Sequence, residues 1–375
     1  MTGLLKDTFT EEAEAIGDPN IDLAAIAANG TRRIKRRRLA TVITAVAATA
    51  AIVGGGLTVV QQVNGDPDSK VAAGGPLAER RATWADGKEI HYGSEVIRVP
   101  VAISSFLQTN AAFVFTSADG GVYQVRPGEA AVKIGKGSTN HRLATDADQA
   151  VVGWVDTTPA VPQFVLYDVA AERELARTAT GNKAGPPTAD RALRVAAIDN
   201  GIAYFGASDG LRRWTIATGV GELIKPKASP EFLLAAEAGQ LVWEHPNGGD
   251  NDNDLGMGPD VNATDPAHYR GWHGSLSPQA RYLLTDKADV VGLVDTRGGV
   301  EWKVDIPGYP LIVPTQWKND STFYAIGFPS ETARLDLLSC SIKSVDVGCT
   351  AVLNAFAPPV TETSTTQFPN GVPVN

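Results

Sequence analysis

Six times between residues 111 and 328 the chain repeats one local pattern: a short polar turn, then a run of apolar residues rich in Val, Tyr, Phe and Trp. The runs are AAFVFTS (111–117), QAVVGWVD (149–156), GIAYFGAS (201–208), GQLVWEHP (239–246), ARYLLTDK (280–287) and STFYAIGF (321–328). They begin about 38, 52, 38, 41 and 41 residues apart, after turns reading TN, DAD, DN, EA, SPQ and KND. Five are followed by another apolar run (GVYQVRPGE, FVLYDVAAE, LRRWTIATG, VGLVDTRGG, ARLDLLSCS), and some of those by a further one such as AVKIGK, GELIKP or EWKVDI. Runs this short, broken by Gly, Asp and Pro, have the length and composition of strands. A period near 40 holds four of them, which is one sheet. Such sheets bury their faces by stacking on one another around a ring. The expected fold is therefore all-β, a β-propeller of about six four-stranded blades with these six runs as second strands. A seventh blade has to be assembled from EIHYGSEVIRV (89–99) and residues near the end of the ring. Closure by an N-terminal strand in the last blade would pin both ends and hide an edge.

The segment SLSPQARYLLT followed by VVGLVDTRGGVEW resembles the S-P-D-G-R-Y-L turn and L-x-D-x-x-T-G hairpin of bacterial propellers of the WD40-like and TolB-like kind, and VDTRGGVEWKV is similar to quinoprotein-type blades. Gln279 and Ala280 stand where that turn carries Asp-Gly, and no Trp-Asp signature ends the blades. No cofactor ring of the quinoprotein type can be traced, so quinone binding is not implied. The resemblance covers about residues 90–355 and implies a single-pass bacterial membrane protein with an extracytoplasmic propeller domain.

A membrane anchor is also written into the residues. Positions 39–60 form 22 uncharged residues, which as a helix rise about 33 Å, enough to cross a hydrocarbon core of about 30 Å. Arg32, Arg33, Lys35, Arg36, Arg37 and Arg38 precede it, and the residues after it are uncharged or acidic. The positive-inside rule then keeps residues 1–38 in the cytoplasm and exports the rest. A cleaved signal peptide would have a shorter apolar region. Ala47, Ala51 and Gly55 form a small-xxx-small stripe of the sort that lets helices pair. The organisation read from the sequence is a cytoplasmic segment (1–38), a transmembrane helix (39–60), a stalk (61–88), the propeller (89–356) and a disordered Pro- and Thr-rich tail (357–375). The formal charge of −9 is unevenly spread, about +1 on residues 1–38 and about −10 beyond them. An acidic exported body does not fit nucleic acid as a partner, because phosphate neutralisation dominates that affinity.

Cys340 and Cys349, the only two cysteines, flank SIKSVDVG and so fall on adjacent strands of the last blade. In an oxidising compartment they read as a disulfide, worth roughly 2–3 kcal/mol for so small a loop. Catalytic signatures are missing: there is no G-x-S-x-G, no H-E-x-x-H and no P-loop, GKGSTN (135–140) being only superficially similar to the last. His91, His141, His245, His268 and His273 are scattered over different units. GGDNDNDLGMGPD (248–260) carries Asp250, Asp252 and Asp254 at alternate positions, the spacing by which a calcium loop converges hard oxygen ligands, with Asp260 as a further donor. It lacks Gly at the sixth position, where Leu255 stands, and Glu at the twelfth. Trp154, Trp214, Trp243, Trp302 and Trp317 fit interblade packing, with a sugar-stacking surface as the alternative. The functional expectation is a binding or scaffold module for a protein, peptide or cell-wall component at a propeller face. The alternatives are a metal-dependent hydrolase or lactonase with acidic residues around a channel metal, and a transmembrane sensor signalling through residues 1–38.

Overall fold

The computed structural model describes residues 75–373, apart from 139, 141, 147–148, 180–192, 246–253, 265, 272, 288–289, 331–332, 344–345 and 360–364. The expected cytoplasmic segment and membrane span lie outside these residues, and no helix among those described is long and apolar enough to cross a membrane.

The described strands form seven four-stranded antiparallel sheets. Blade 1 holds β1 (Thr83–Asp86), β2 (Glu89–Tyr92) and β3 (Glu95–Arg98). Blade 2 follows with β4 (Ile103–Gln108), β5 (Phe113–Ser117), β6 (Gly121–Val125) and β7 (Val132–Lys136). Blade 3 is β8 (Ala144–Asp146), β9 (Val151–Asp156), β10 (Gln163–Asp168) and β11 (Arg173–Ala179). In blade 4 run β12 (Arg194–Asp199), β13 (Ile202–Ala207), β14 (Gly210–Thr215) and β15 (Val220–Pro226). Blade 5 comprises β16 (Leu233–Glu237), β17 (Gln240–His245), β18 (Asp254–Gly258) and β19 (Ala267–Arg270). Blade 6 comprises β20 (Gly274–Leu276), β21 (Tyr282–Lys287), β22 (Val290–Asp295) and β23 (Val300–Lys303). Blade 7 contains β24 (Leu311–Asn319), β25 (Thr322–Phe328), β26 (Leu335–Lys343) and β27 (Asp346–Ala357). The last strand, β28 (Thr366–Gln367), returns to blade 1 and pairs with β1, Ala85 opposite Gln367 and Asp86 opposite Thr366. The protein is a seven-bladed propeller.

The six apolar runs are the second strands of blades 2 to 7. Their alternate side chains reach two neighbouring blades at once, which is why they read as nearly continuous apolar segments. Phe115, Val152, Ala203, Val242, Leu283 and Ala325 have no exposed surface. The tryptophans fill interblade seams. Trp154 and Trp243 lie against Gly135 and Gly256, where an added Cβ would come within 2.5 and 2.4 Å of the indoles. The Trp317 indole N–H donates to Ser275 Oγ at 3.0 Å, and Trp214 and Trp302 pack half-buried on the clusters between blades 3 and 4 and between 6 and 7.

Three boundaries differ from the sequence reading. The ring is closed by a C-terminal strand in the first blade, not by an N-terminal strand in the last; the seventh blade is the one assembled from 89–99 and residues near the end. The stretch 365–373 is not a loose tail: Thr366, Gln367, Phe368, Asn370 and Val372 are buried. The stalk ends earlier than residue 88, since Leu77 is fully buried and β1 is part of a blade. In each case the residues are polar or Pro-rich, yet they add hydrogen bonds to an edge that would otherwise be open.

Candidate binding face

The chain's own C-terminal residues line part of the ring's inner edge. Beyond β28, Asn370 bridges to Leu107 on the channel-facing edge of β4. Gly371 N–H donates to Phe106 O and its carbonyl accepts from Leu143 N–H, both at 2.8 Å, so one short segment joins the inner edges of blades 1, 2 and 3. Gly371 has φ of +71° and passes so near blade 3 that a Cβ would stand 2.3 Å from Leu143 O; only glycine fits there. At the other end of the ring, Leu77 N–H donates to Asn110 O at 2.9 Å. Gln108 Nε2 donates to Leu77 O and Glu79 O at 2.9 and 3.0 Å and its Oε1 accepts from Gln316 Nε2 at 3.1 Å, tying residues 77–79 between blades 2 and 7.

Ionisable side chains gather at one of the two end faces. The face where each blade's innermost strand begins carries ionisable groups from blades 3 to 6. Arg142 stands two residues before β8, Arg194 opens β12, Glu231 is two residues before β16 and His273 one before β20. Glu244 and Asp286 lie near the ends of the second strands β17 and β21, beside the starts of their blades' inner strands, because Leu233 pairs with Trp243 and Gly274 with Thr285. The ring thus gathers residues that are about 40 to 50 positions apart in sequence.

Arg194 is buried, 5% exposed. Its Nη2 donates to Glu231 O at 3.1 Å and Leu233 O at 2.6 Å. Burial pulls its pKa down to about 10, assisted by repulsion from Arg142 and opposed by Glu231 and Glu244. Nε of Arg194 has no hydrogen-bond partner among the described residues. Arg142 Nη2 reaches Glu231 Oε1 at 3.2 Å, spanning from blade 3 to blade 5 above Arg194. Burial, then the charge of Glu231, raise the pKa of Glu244, with Arg194 and His273 acting in the other direction. His273 Nδ1 is 3.7 Å from Asp286 Oδ2; Nδ1, Asp286 Oδ1 and the neighbouring Thr285 Oγ1 are buried without hydrogen-bond partners among the described residues. Two cations, three carboxylates and an imidazole thus come together on one face. No described hydroxyl or thiol hydrogen-bonds His273.

The residues singled out from sequence are dispersed. Asp250 and Asp252 lie outside the described residues. Asp254 opens β18, while Asp260 lies beyond its far end and accepts from Asn262 N–H at 2.8 Å. Strand β18 rises about 13 Å at 3.3 Å per residue, so Asp260 cannot share an ion with Asp254, and the expected fourth donor is corrected to a turn residue. DLGMG, read as part of a loop, is the missing third strand of blade 5. Among the described residues no three His, Cys, Asp or Glu side chains converge as metal ligands. Cys340 and Cys349 face each other across β26 and β27, Cα atoms 4.0 Å apart, and are joined as a disulfide. His91 stacks on Trp84 at the outer part of blade 1, ring centroids 4.5 Å apart; His245 and His268 sit on β17 and β19 of blade 5; and His141 lies outside the described residues. Among the histidines whose side chains are described, His273 is the one that joins the charged face.

No family model matches the chain, and no curated protein matches it by sequence. Solved structures share the fold. A prolyl endopeptidase superposes with a TM-score of 0.53 at 12% identity, over 75% of this chain and 50% of that one. A chain of a mitotic checkpoint complex gives 0.48 at 14% identity, over 81% and 91%. TolB from Acinetobacter baumannii gives 0.39 at 14% identity, over 60% and 63%. The chain spans about half the length of the endopeptidase, and the likeness is one of fold alone.

Proposed function

We propose that the ring is an extracytoplasmic binding module, tethered by the segment 39–60, which holds a protein, peptide or cell-wall partner on the face bearing Arg142, Arg194, Glu231, Glu244, His273 and Asp286. The observation that carries this reading is the charged cluster that the ring gathers from blades 3 to 6 at one end face. Residues 366–372 occupy the inner edges of blades 1 to 3, where a propeller hydrolase of the metal-dependent kind would gather its ligands. Support comes also from the cost of the charged face: a buried guanidinium beside a second cation, and a carboxyl whose ionisation burial opposes, reduce stability unless something uses them.

Photo-crosslinking in intact cells tests this. A crosslinking amino acid at Glu231, exposed on the charged face, is expected to capture a discrete partner. The same probe at Glu129, exposed in the turn between β6 and β7 at the opposite end, is expected to capture none. Equal labelling at both positions, or none at Glu231, would remove the proposed face.

A further inference from the structure

Each blade ends in an outermost strand with a free edge, and six of the seven are guarded. Strands β3, β7, β11, β15, β19 and β23 are four to seven residues long and carry Glu95 and Arg98, Lys133 and Lys136, Arg173, Glu174 and Arg177, Glu222, Lys225 and Pro226, Arg270, and Glu301 and Lys303 respectively. Charges and proline on an edge discourage pairing with another chain. The outermost strand of blade 7 is different. β27 is 12 residues long, and after Asp346 it reads VGCTAVLNAFA without a charge or a proline.

Its geometry divides it in two. From Ala351 on, the register with β26 shifts twice, Ala355 has φ of +49°, and Arg334 covers the carbonyls of Ala355 and Phe356 at 2.7 and 3.4 Å. Before that, Asp346 to Ala351 pair in unbroken register with Lys343 to Leu338. The 4.0 Å Cα separation of Cys340 and Cys349 marks theirs as a close, non-hydrogen-bonded pair. Ile342 N–H, in the same phase, donates away from β27 to Ser321 O. Hence Val347, Cys349 and Ala351 turn their N–H and C=O groups outward. The disulfide holds this row in place.

We infer that this edge pairs with a second copy of itself, antiparallel about a twofold axis at Cys349. In that register Cys349 meets Cys349, Val347 meets Ala351 and Ala351 meets Val347, each pair exchanging two N–H···O bonds. No charge opposes a like charge, since Asp346 falls opposite Val352, which is 47% exposed. None of the other six edges offers an equally long uncharged run. A contact of this size is small for a stable dimer, so the association is weak and concentration-dependent.

Every strand of the ring lies between Thr83 and Gln367, so residues 75–375 carry the whole closed sheet set. Sedimentation velocity of that segment between about 5 and 500 µM is expected to show reversible dimerisation. Thr350→Lys is exposed on the outer face of β27, and Gly348→Lys places its Cβ in open space. Each sets two lysines diagonally across the axis and is expected to raise the dimer dissociation constant about tenfold or more while leaving the melting temperature near wild type. Val220→Lys, on the edge of blade 4, is the control and should change nothing. A wild type that stays monomeric throughout, dimerisation indifferent to both β27 lysines, or equal weakening by Val220→Lys would each overturn the inference.

Discussion

At the scale of single residues, the turn that resembles the family motif also shows where this chain departs from it. Ala280 replaces glycine and takes φ of +51°, and Ala238 takes +48° in the corresponding turn of blade 5. An L-residue in that region is strained by about 1–2 kcal/mol, part of which glycine returns through its unfolded-state entropy. Ala280→Gly and Ala238→Gly are each expected to stabilise by about 0.5–1 kcal/mol, raising the melting temperature by about 2 °C in thermal unfolding. Glu244 makes a pH-dependent counterpart. Its folded pKa lies above the ordinary 4.5, so the folded state holds the proton more tightly than the unfolded chain, and stability falls as pH rises through the interval between the two values. Glu244→Gln should therefore melt higher than wild type at pH 7, with the difference closing as pH approaches 4; a constant difference across that range would assign the effect to packing. The charged face itself was not legible in the sequence. Arg142, Arg194, Glu231 and Glu244 belong to different repeats, and nothing local distinguishes them from ordinary surface charges until the ring brings them together.

At the scale of elements, legibility followed burial. The second strands were readable because both their faces are covered, and the third strands because DxxTG-like turns follow them. Blade 1 was readable in part, as EIHYGSEVIRV completed by residues near the end; β1 was missed, since β1 to β3 hold Glu, His, Arg and Asp beside their apolar positions and their innermost partner comes from the far end of the chain. β18 escaped because Asp-Leu-Gly-Met-Gly has two glycines, which depress strand propensity; one of them, Gly256, is required by the Trp243 indole lying against it. β28 is only two residues long, too short for periodicity to register, yet the segment it belongs to anchors the closure through Phe368, which has no exposed surface and packs with Val313, Ile326, Phe328, Leu335 and Ala357 of blade 7. Phe368→Ala is expected to cost about 3–5 kcal/mol. Because the residue sits at the seam between the first and last blades, amide exchange should accelerate first in blades 1 and 7; loss of protection spread evenly around the ring would mean that closure is not held there.

At the scale of the whole molecule, the ring and the segment before it impose a joint requirement. A propeller closed by its own C-terminal strand cannot form until the last blade and residues 366–367 are present, so in the proposed topology an exported chain that crosses the membrane unfolded closes its ring only after the last blade is outside. The disulfide agrees with that order, since Cys340 and Cys349 can pair within a local hairpin before the ring shuts and would persist in an oxidising compartment. A reporter should not be attached at the C-terminus, because Val372 is buried and a fused domain would compete with closure. Joining residues 1–74 to alkaline phosphatase avoids the ring. In a bacterial host this fusion is expected to be active, the matching β-galactosidase fusion inactive, and Cys340 and Cys349 of the full chain labelled by maleimide only after reduction. An inactive phosphatase with freely labelled thiols would place the ring in the cytoplasm. The anchor and the proposed extracytoplasmic partner would then both fall, while the fold, the closure of the ring by β28 and the unguarded edge of blade 7 would stand unchanged.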